Sequence, residues 1–219
     1  EIMSSDWSSD VCSSDLYAFS NHEVIHLHSC SLAPFYLDAP LTRLLGKKVV
    51  YHHHGSDVRG RGYPLLSRLH SRHLVATPDL LQWCPKAEWL PNPVDLKEFK
   101  PARTPKKFKV AYGYKDAATI SRAAKGFDST LIHGMPFVEA MKALSKCSVF
   151  VDNYSFGTYS YLATQAMALG KPVVCRMSDE SLRVSGANCV INSTARELRA
   201  VLEELRDSKK EAKRAGRAC

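Results

Sequence analysis

Residues 136–176 read PFVEAMKALSKCSVFVDNYSFGTYSYLATQAMALGKPVVCR, in which helical patterns alternate with short apolar runs. The pattern predicts helix, strand, helix and strand over 136–147, 148–154, 158–169 and 172–176. The first helix has proline in its first turn, and Gly170 ends the second helix. Strands that alternate with helices form a parallel, doubly wound sheet, so these residues indicate an α/β fold.

The same alternation extends in both directions from these residues. Further strands are predicted over 23–29, 47–54, 73–77, 108–113, 129–134 and 187–192, and helices over 38–46, 64–72 and 194–218. A charged segment with two prolines, 95–107, separates two such patterns and resembles an interdomain linker. Ligands of these sheets bind beyond the carboxyl ends of the strands. Candidate site residues are therefore expected just after Ser29, His54, Gly113, Gly134 and Tyr154.

The composition of the 219 residues excludes several classes of protein. With 45% hydrophobic and 24% charged residues, the chain is neither disordered nor collagen-like. No apolar run reaches the ~18 residues of a membrane span. The seven cysteines form no CxxC pair, and their odd number suits a reducing compartment, so a disulfide scaffold and a zinc ribbon are both disfavoured.

The first sixteen residues, EIMSSDWSSDVCSSDL, lack the periodicity of a helix or a strand and the layout of a signal peptide. Residues 6–16 resemble the translation of a sequencing-library adapter, so we interpret 1–16 as a non-native leader; a serine-rich native leader is the alternative. Without its four acidic residues the formal charge rises from +8 to +12.

Three consecutive histidines, His52–His54, end the predicted strand 47–54. A metal site would need further ligands, which His26 and His28 on a neighbouring strand could supply, but spacing alone favours packed histidines. His54 opens the loop GSDVRGRG, in which Gly55, Asp57 and Arg59 could approach a ligand. The alternative is an ordinary turn in which Asp57 bonds the backbone, and spacing does not separate the two.

Two further clusters could bind an anion. Arg122 and Lys125 lie three residues apart among small residues, which suits either a phosphate clamp or a solvated helix face. Residues 156–160 precede a helix, whose first N–H groups favour an anion.

Other chemistries have little support in the sequence. There is no GxSxG nucleophile elbow, no P-loop and no GxGxxG motif. The basic C-terminal residues 206–217 have no aromatic residues among them, which disfavours nucleic-acid binding.

Several of these segments together resemble one family. PNPVD (91–95), RAAKG (122–126), TQAMALGKPVV (164–174) and residues 24–60 are similar to the family-4 group of GT-B glycosyltransferases. The resemblance implies two Rossmann-like domains with parallel sheets, the first incomplete at its N-terminus. Residues 17–100 would be the C-terminal part of the acceptor-side domain, and 101–219 the nucleotide-sugar donor domain. It also implies sugar transfer from a nucleoside-diphosphate sugar, with retention of configuration and without a metal or cofactor.

The resemblance assigns a role to individual residues. His54 would contact the transferred sugar as the catalytic residue, and Arg122 with Lys125 would neutralise the donor diphosphate. Residues expected beside the nucleotide and sugar are Gly134, Met135, Gly157, Thr158, Tyr159, Ser160 and Gln165. Residues expected to line the substrate cleft are Gly55, Asp57, Arg59, Asn92 and Asp95.

The chain also departs from this family. Gly157 and Gln165 stand where the family has paired glutamates, which leaves the identity of the donor open. The crossover over residues 114–128 barely reaches the dozen residues that a parallel connection needs. The length of 219 residues is short for two such domains, which indicates a fragment of a larger enzyme.

We therefore expect a glycosyltransferase that acts on a glycan, a lipid-linked sugar or a small molecule. It is expected in the cytoplasm, with peripheral contact to anionic lipid at the inner face of the membrane and with no nucleic-acid partner. The first alternative is a catalytically inactive sugar-nucleotide-binding domain. The second is a sugar-nucleotide epimerase, whose catalytic carboxylates have no clear counterpart here.

Overall fold

The computed structural model describes residues 21–29, 36–70, 72–187, 190–208 and 215–216. The chain divides into two compact units, Glu1–Pro91 and Asn92–Cys219, whereas the sequence placed the domain boundary after residue 100. Val94 and Phe99 pack against the core of the second unit, so part of the predicted linker folds with that unit. The segment interpreted as a leader, 1–16, lies outside the described residues.

The first unit is built on a parallel four-stranded sheet in the order β1-β2-β3-β4. Its strands are β1 (Val24–His28), β2 (Lys48–His53), β3 (Arg72–Val75) and β4 (Glu88–Trp89). Helix α1 (Asp38–Leu44) precedes β2, and two 3₁₀ turns, Leu66–Leu69 and Pro78–Gln82, flank β3.

The second unit is built on a parallel five-stranded sheet in the order β6-β5-β7-β8-β9. Its strands are β5 (Lys109–Gly113), β6 (Asp128–Ile132), β7 (Val149–Val151), β8 (Val173–Cys175) and β9 (Val190–Asn192). The helices are α2 (Ala117–Ala123), α3 (Phe137–Ser145), α4 (Tyr161–Ala168), α5 (Asp179–Ser185) and α6 (Leu198–Asp207).

Both faces of the second sheet are covered, as expected of a doubly wound fold. Phe150 of β7 packs with α3 and α4 on one face, while Val149 and Val151 pack with α2 and α6 on the other. Because successive strand residues point to opposite faces, a strand that is apolar throughout is buried on both sides. The predicted α/β architecture with two parallel Rossmann-like sheets is therefore confirmed.

Several elements differ from the prediction. The helix predicted over 64–72 is only the 3₁₀ turn Leu66–Leu69, and the helix predicted from residue 194 begins at Leu198. Helix α5 has no counterpart in the prediction. The short crossover over 114–128 does hold a helix, α2, and it joins two adjacent strands. Among the described residues, no helix is both long enough and apolar enough to cross a bilayer.

Candidate functional site

The carboxyl edge of the second sheet brings together residues from three loops, because parallel strands all end at the same edge. The ring centroid of Tyr114, after β5, lies 4.8 Å from that of His133, after β6. The exposed Lys115 places its Nζ 4.8 Å from the Tyr114 ring centroid. The same Nζ lies 5.4 Å from the ring centroid of Phe156, in the loop 152–160 after β7 (the β7 loop). Three rings, those of Tyr114, His133 and Phe156, and one cation therefore converge at this edge.

Asp116 connects the turn after β5 to the β7 loop. Its Oδ2 accepts a hydrogen bond of 2.8 Å from the backbone N–H of Tyr154, and its Oδ1 accepts one from the Ser155 hydroxyl. Asp116 has a φ of +58°, in the left-handed region that asparagine and aspartate enter more readily than most residues. The carboxylate thus fixes the turn that carries Lys115.

Two buried polar residues hold the β7 loop in shape. Asn153 accepts a hydrogen bond of 3.1 Å from the Phe156 N–H and donates one of 3.0 Å to the Thr158 carbonyl. Asp152 accepts from both the N–H and the hydroxyl of Ser160. Burial raises the pKa of Asp152, and the hydrogen bonds from Ser160 oppose that rise. These contacts order the loop from within the protein.

Ser160 was predicted to lie beside the sugar and phosphate, and it begins helix α4. Its hydroxyl donates to Asp152 and accepts a hydrogen bond of 3.3 Å from the Ala163 N–H, so Ser160 is the N-cap of α4. The helix predicted after residues 156–160 therefore begins here, with Ser160 as its cap, and anion binding at its first turn stays a prediction.

The other residues predicted at this terminus surround the start of α4. Thr158 is buried, and its Oγ1 has no hydrogen-bond partner among the described residues. Gly157 has a φ of +69°, and a Cβ there would lie 3.3 Å from the Ser178 Cβ. Tyr159 is half-buried, and Gln165 is buried on α4. A buried hydroxyl that lacks a partner is a candidate ligand-binding group.

Arg122 and Lys125 do not lie at the carboxyl edge of the second sheet. Arg122 is in the last turn of α2, and Lys125 lies in the turn that leads into β6. Because α2 leaves the carboxyl end of β5 and returns to the amino end of β6, its last turn points away from the carboxyl edge. The sequence placed this pair near the carboxyl end of a strand, and that placement is wrong. Both residues are exposed, as on the solvated helix face that was the alternative.

Gly134 and Met135 follow β6 at the carboxyl edge, as predicted. Gly134 has a φ of +64°, and both residues are exposed. Their position after His133 places them on the same edge as Tyr114.

Asn92 and Asp95 belong to the second unit. Asp95 Oδ1 accepts a hydrogen bond of 2.8 Å from the Lys97 N–H, and Asn92 is half-buried. The hydroxyl of Tyr161, at the start of α4, donates to the carbonyl of Pro93 at 3.0 Å. The predicted PNPVD segment is thus attached to the beginning of α4.

In the first unit, His54 follows β2 and begins a tight turn. Asp57 Oδ1 accepts hydrogen bonds from the N–H groups of His54, at 3.2 Å, and Gly55, at 2.8 Å. Its Oδ2 pairs with Nδ1 of the buried His53 at 2.7 Å. Burial raises the pKa of Asp57, but the hydrogen bonds from His53 and Gly55 outweigh it and hold the pKa below its usual value. The capped turn that was the alternative for Asp57 is therefore present.

Arg59 closes this turn from the other side. Its Nε and Nη2 lie 3.0 and 2.8 Å from Oδ2 of the buried Asp79. Gly55 has a φ of +123°, and a Cβ there would lie only 2.7 Å from Nη1 of Arg59. The turn therefore depends on glycine at this position. Asp57 and Arg59 both make contacts within the protein, and their predicted roles in a substrate cleft stay predictions.

Four histidines share one face of the first sheet. His28 lies beside His52 in the register of β1 and β2, and their ring centroids are 5.2 Å apart. The His26 ring stacks on that of His52 at 5.6 Å, and His28 Nδ1 lies 2.9 Å from His54 Nε2. Burial, followed by the neighbouring imidazoles, lowers the pKa of His28 and brings that of His52 to about 4. Burial also lowers the pKa of His54, although Asp57 opposes this. The lowered pKa values favour the neutral form of the His28, His52 and His54 rings.

The sequence matches no protein-family model and no curated protein. The fold does have known relatives among solved structures. The sucrose-phosphate synthase of Thermosynechococcus elongatus superposes with a TM-score of 0.67 at 12% identity, over 95% of this chain and 71% of the other. The catalytic domain of starch synthase IV from Arabidopsis thaliana, bound to ADP and acarbose, superposes with a TM-score of 0.61 at 9% identity, over 97% of this chain and 74% of the other. The chain has a GT-B fold. At these identities the likeness concerns the fold alone.

For this GT-B chain, the prediction from sequence did not include the residues that organise the carboxyl edge of the second sheet. Lys115 and Asp116 lie two and three residues after the end of β5, and Asp152 and Asn153 come directly after β7. The signal was available, since the ends of both strands were expected to carry the site. What could not be read was which polar residues pair within the protein and which stay exposed.

Proposed function

We propose that the chain is a glycosyltransferase that moves a sugar from a nucleoside-diphosphate sugar to a glycan, a lipid-linked sugar or a small acceptor. The observation that carries the proposal is the GT-B fold shared with sucrose-phosphate synthase and with a starch synthase that holds ADP and acarbose. We further propose that transfer retains the anomeric configuration and needs no metal. These two properties follow from the family-4 resemblance of TQAMALGKPVV (164–174).

The nucleoside diphosphate would bind at the carboxyl edge of the second sheet. The first turn of α4 supplies N–H groups and the positive end of a helix dipole, which favour phosphate. Lys115 adds an exposed cation at the same edge, and the Thr158 hydroxyl adds a buried donor. The Tyr114 and His133 rings offer a surface on which a base can stack. A pre-placed cation stabilises the negative charge that develops on the leaving diphosphate.

His54 would contact the transferred sugar. The backbone N–H of His54 donates a hydrogen bond to the Asp57 carboxylate, which holds the residue at the end of β2. A neutral imidazole has one donor and one acceptor nitrogen, which suits the hydroxyl groups of a sugar.

A sugar-nucleotide-binding domain without activity is the second candidate. Gly157 and Gln165 replace the carboxylates that grip the donor in the resembled family, and Gln165 is buried on α4. An amide can still hydrogen-bond ribose or sugar hydroxyls, so binding would persist where turnover is lost. We place the protein in the cytoplasm, where its net charge of +8 favours contact with anionic lipid.

Calorimetric titration with ADP, UDP and GDP, followed by transfer assays with the matching sugars, tests the proposal. Lys115→Ala should weaken nucleotide binding by more than about ten-fold, since a charge-assisted hydrogen bond contributes ~1.5–3 kcal/mol. The controls are Lys142→Ala on the exposed side of α3 and Arg122→Ala at the far end of α2, and both should bind normally.

His54→Asn should bind nucleotide normally but lose transfer. Binding without turnover in the unaltered chain would favour the inactive domain. If none of the three nucleotides binds, both candidate functions are contradicted.

A further inference from the structure

We infer that His26, His28 and His52 (the histidine cluster) form a binding site for a divalent transition metal of the Zn²⁺ type on the first sheet. Each histidine offers one ring nitrogen, and the three nitrogens lie within 4.8 Å of one another. A tetrahedral Zn²⁺ with Zn–N bonds of ~2.0–2.1 Å needs nitrogens about 3.3 Å apart. His26 and His28 are exposed, so rotation of their side chains can close this difference.

The backbone brings the three residues together without strain. His26 and His28 are two residues apart on β1 and therefore share a face, and Ile25 and Leu27 face the core. The parallel register then places His52 of β2 directly beside His28. Three ligands thus come from two adjacent strands, a rigid scaffold for a metal site.

His52 has the features of a metal ligand. Its Nε2 lies 3.0 Å from the Leu90 carbonyl oxygen, and because a carbonyl only accepts, this nitrogen carries the proton. The other nitrogen, Nδ1, then has a free lone pair. It is buried and has no hydrogen-bond partner among the described residues. Metal-bound histidines almost always donate their second N–H to a carbonyl, carboxylate or water in this way.

The donor set indicates the class of metal. All three ligands are imidazoles, which suit Zn²⁺, Cu²⁺, Fe²⁺ or Ni²⁺, whereas Mg²⁺ and Ca²⁺ prefer oxygen ligands. His28 Nδ1 also lies 2.9 Å from His54 Nε2, so a second histidine pair would orient His28 from outside the site. The inference concerns the first unit alone and does not depend on the proposed nucleotide site.

Titration of the metal-free, reduced full-length chain with Zn²⁺ against a chromophoric chelator tests the inference. One equivalent should bind. His26→Ala and His28→Ala should each weaken binding by at least about 10–100-fold, the range found for groups that only support a ligand. Both positions are exposed, so these variants should fold, which far-UV circular dichroism checks. His133→Ala removes an exposed histidine of the second unit and should bind Zn²⁺ like the unaltered chain.

Cobalt substitution shows whether the bound metal is held by the histidine cluster or by cysteines of the chain. Co²⁺ bound to the cluster should give tetrahedral d–d bands without thiolate charge-transfer bands, and His28→Ala should abolish them. The inference is overturned if no metal binds, if thiolate bands dominate, or if His26→Ala and His28→Ala bind as tightly as His133→Ala.

Discussion

Replacing Gly55 by alanine should destabilise the first unit far more than the same change at Gly60. Both glycines have positive φ, +123° and +80°, so both alanines carry backbone strain of about 1–2 kcal/mol. Around Gly60 there is nothing within 4 Å of the added Cβ, whereas at Gly55 it would lie 2.7 Å from Nη1 of Arg59. The guanidinium group of Arg59 must then shift, and it is paired with Asp79, whose side chain is only 2% exposed.

Breaking a buried ion pair lowers the free energy of unfolding by about 3–5 kcal/mol. Because the Arg59 side chain is 25% exposed, we expect about 2–3 kcal/mol for its pair with Asp79. We therefore expect Gly55→Ala to cost about 3–5 kcal/mol and Gly60→Ala about 1–2 kcal/mol. Urea unfolding followed by tryptophan fluorescence measures the difference, because Trp83 and Trp89 lie in the first unit and residues 92–219 contain no tryptophan.

A double-variant cycle isolates the clash between the added methyl group and the guanidinium group. In an Arg59→Ala background the guanidinium group is already absent, so Gly55→Ala should then cost no more than Gly60→Ala. Equal destabilisation by Gly55→Ala and Gly60→Ala in the unaltered chain would refute the reasoning.

Three further changes test other parts of the structure. Burial, followed by the charge of the nearby His53, lowers the pKa of His73 from 6.5 to about 4. Neutral His73 therefore contributes to the stability of the fold above pH 6.5, and this contribution is lost as pH falls towards 4. The unaltered chain should lose about 2 kcal/mol more than His73→Gln between pH 7 and pH 5 in urea unfolding, and equal losses would contradict this. Asp116→Ala removes two hydrogen bonds to the β7 loop and should raise amide exchange across 154–156, with unchanged exchange as the contrary result. Gly157→Ala places a Cβ against Ser178 at a residue with positive φ. It should lower the free energy of unfolding by about 1–3 kcal/mol, as measured by circular dichroism. An unchanged free energy of unfolding would show that the loop adapts to the added Cβ without cost.

The sequence predicted the sheets well because their strands carry a strong local signal. Within the predicted segment SVFVDNY, the three residues of β7 are apolar, and Asp152 and Asn153 follow them. The segment therefore indicated both the burial of the strand and its position next to the site. Helix α5 has only seven residues, too few for a clear period, although Ser178 caps it through the Ser181 N–H.

The site was predicted less well because it depends on tertiary placement. Sequence distance from β5 does not show that α2 carries Arg122 to the opposite edge of the sheet, since that depends on where the crossover ends. The sequence did point to His26 and His28 as possible ligands beside His52. Whether the three rings meet depends on the register between β1 and β2, which no local pattern specifies.

Hydrogen exchange measured by mass spectrometry, with and without a saturating nucleoside diphosphate, tests the central claim most directly. That claim is a nucleotide site at the carboxyl edge of the second sheet. Binding should protect 114–116, 133–135 and 154–160 and leave 122–127 unchanged. Protection at 122–127 instead, or no protection anywhere in the second unit, would contradict the claim.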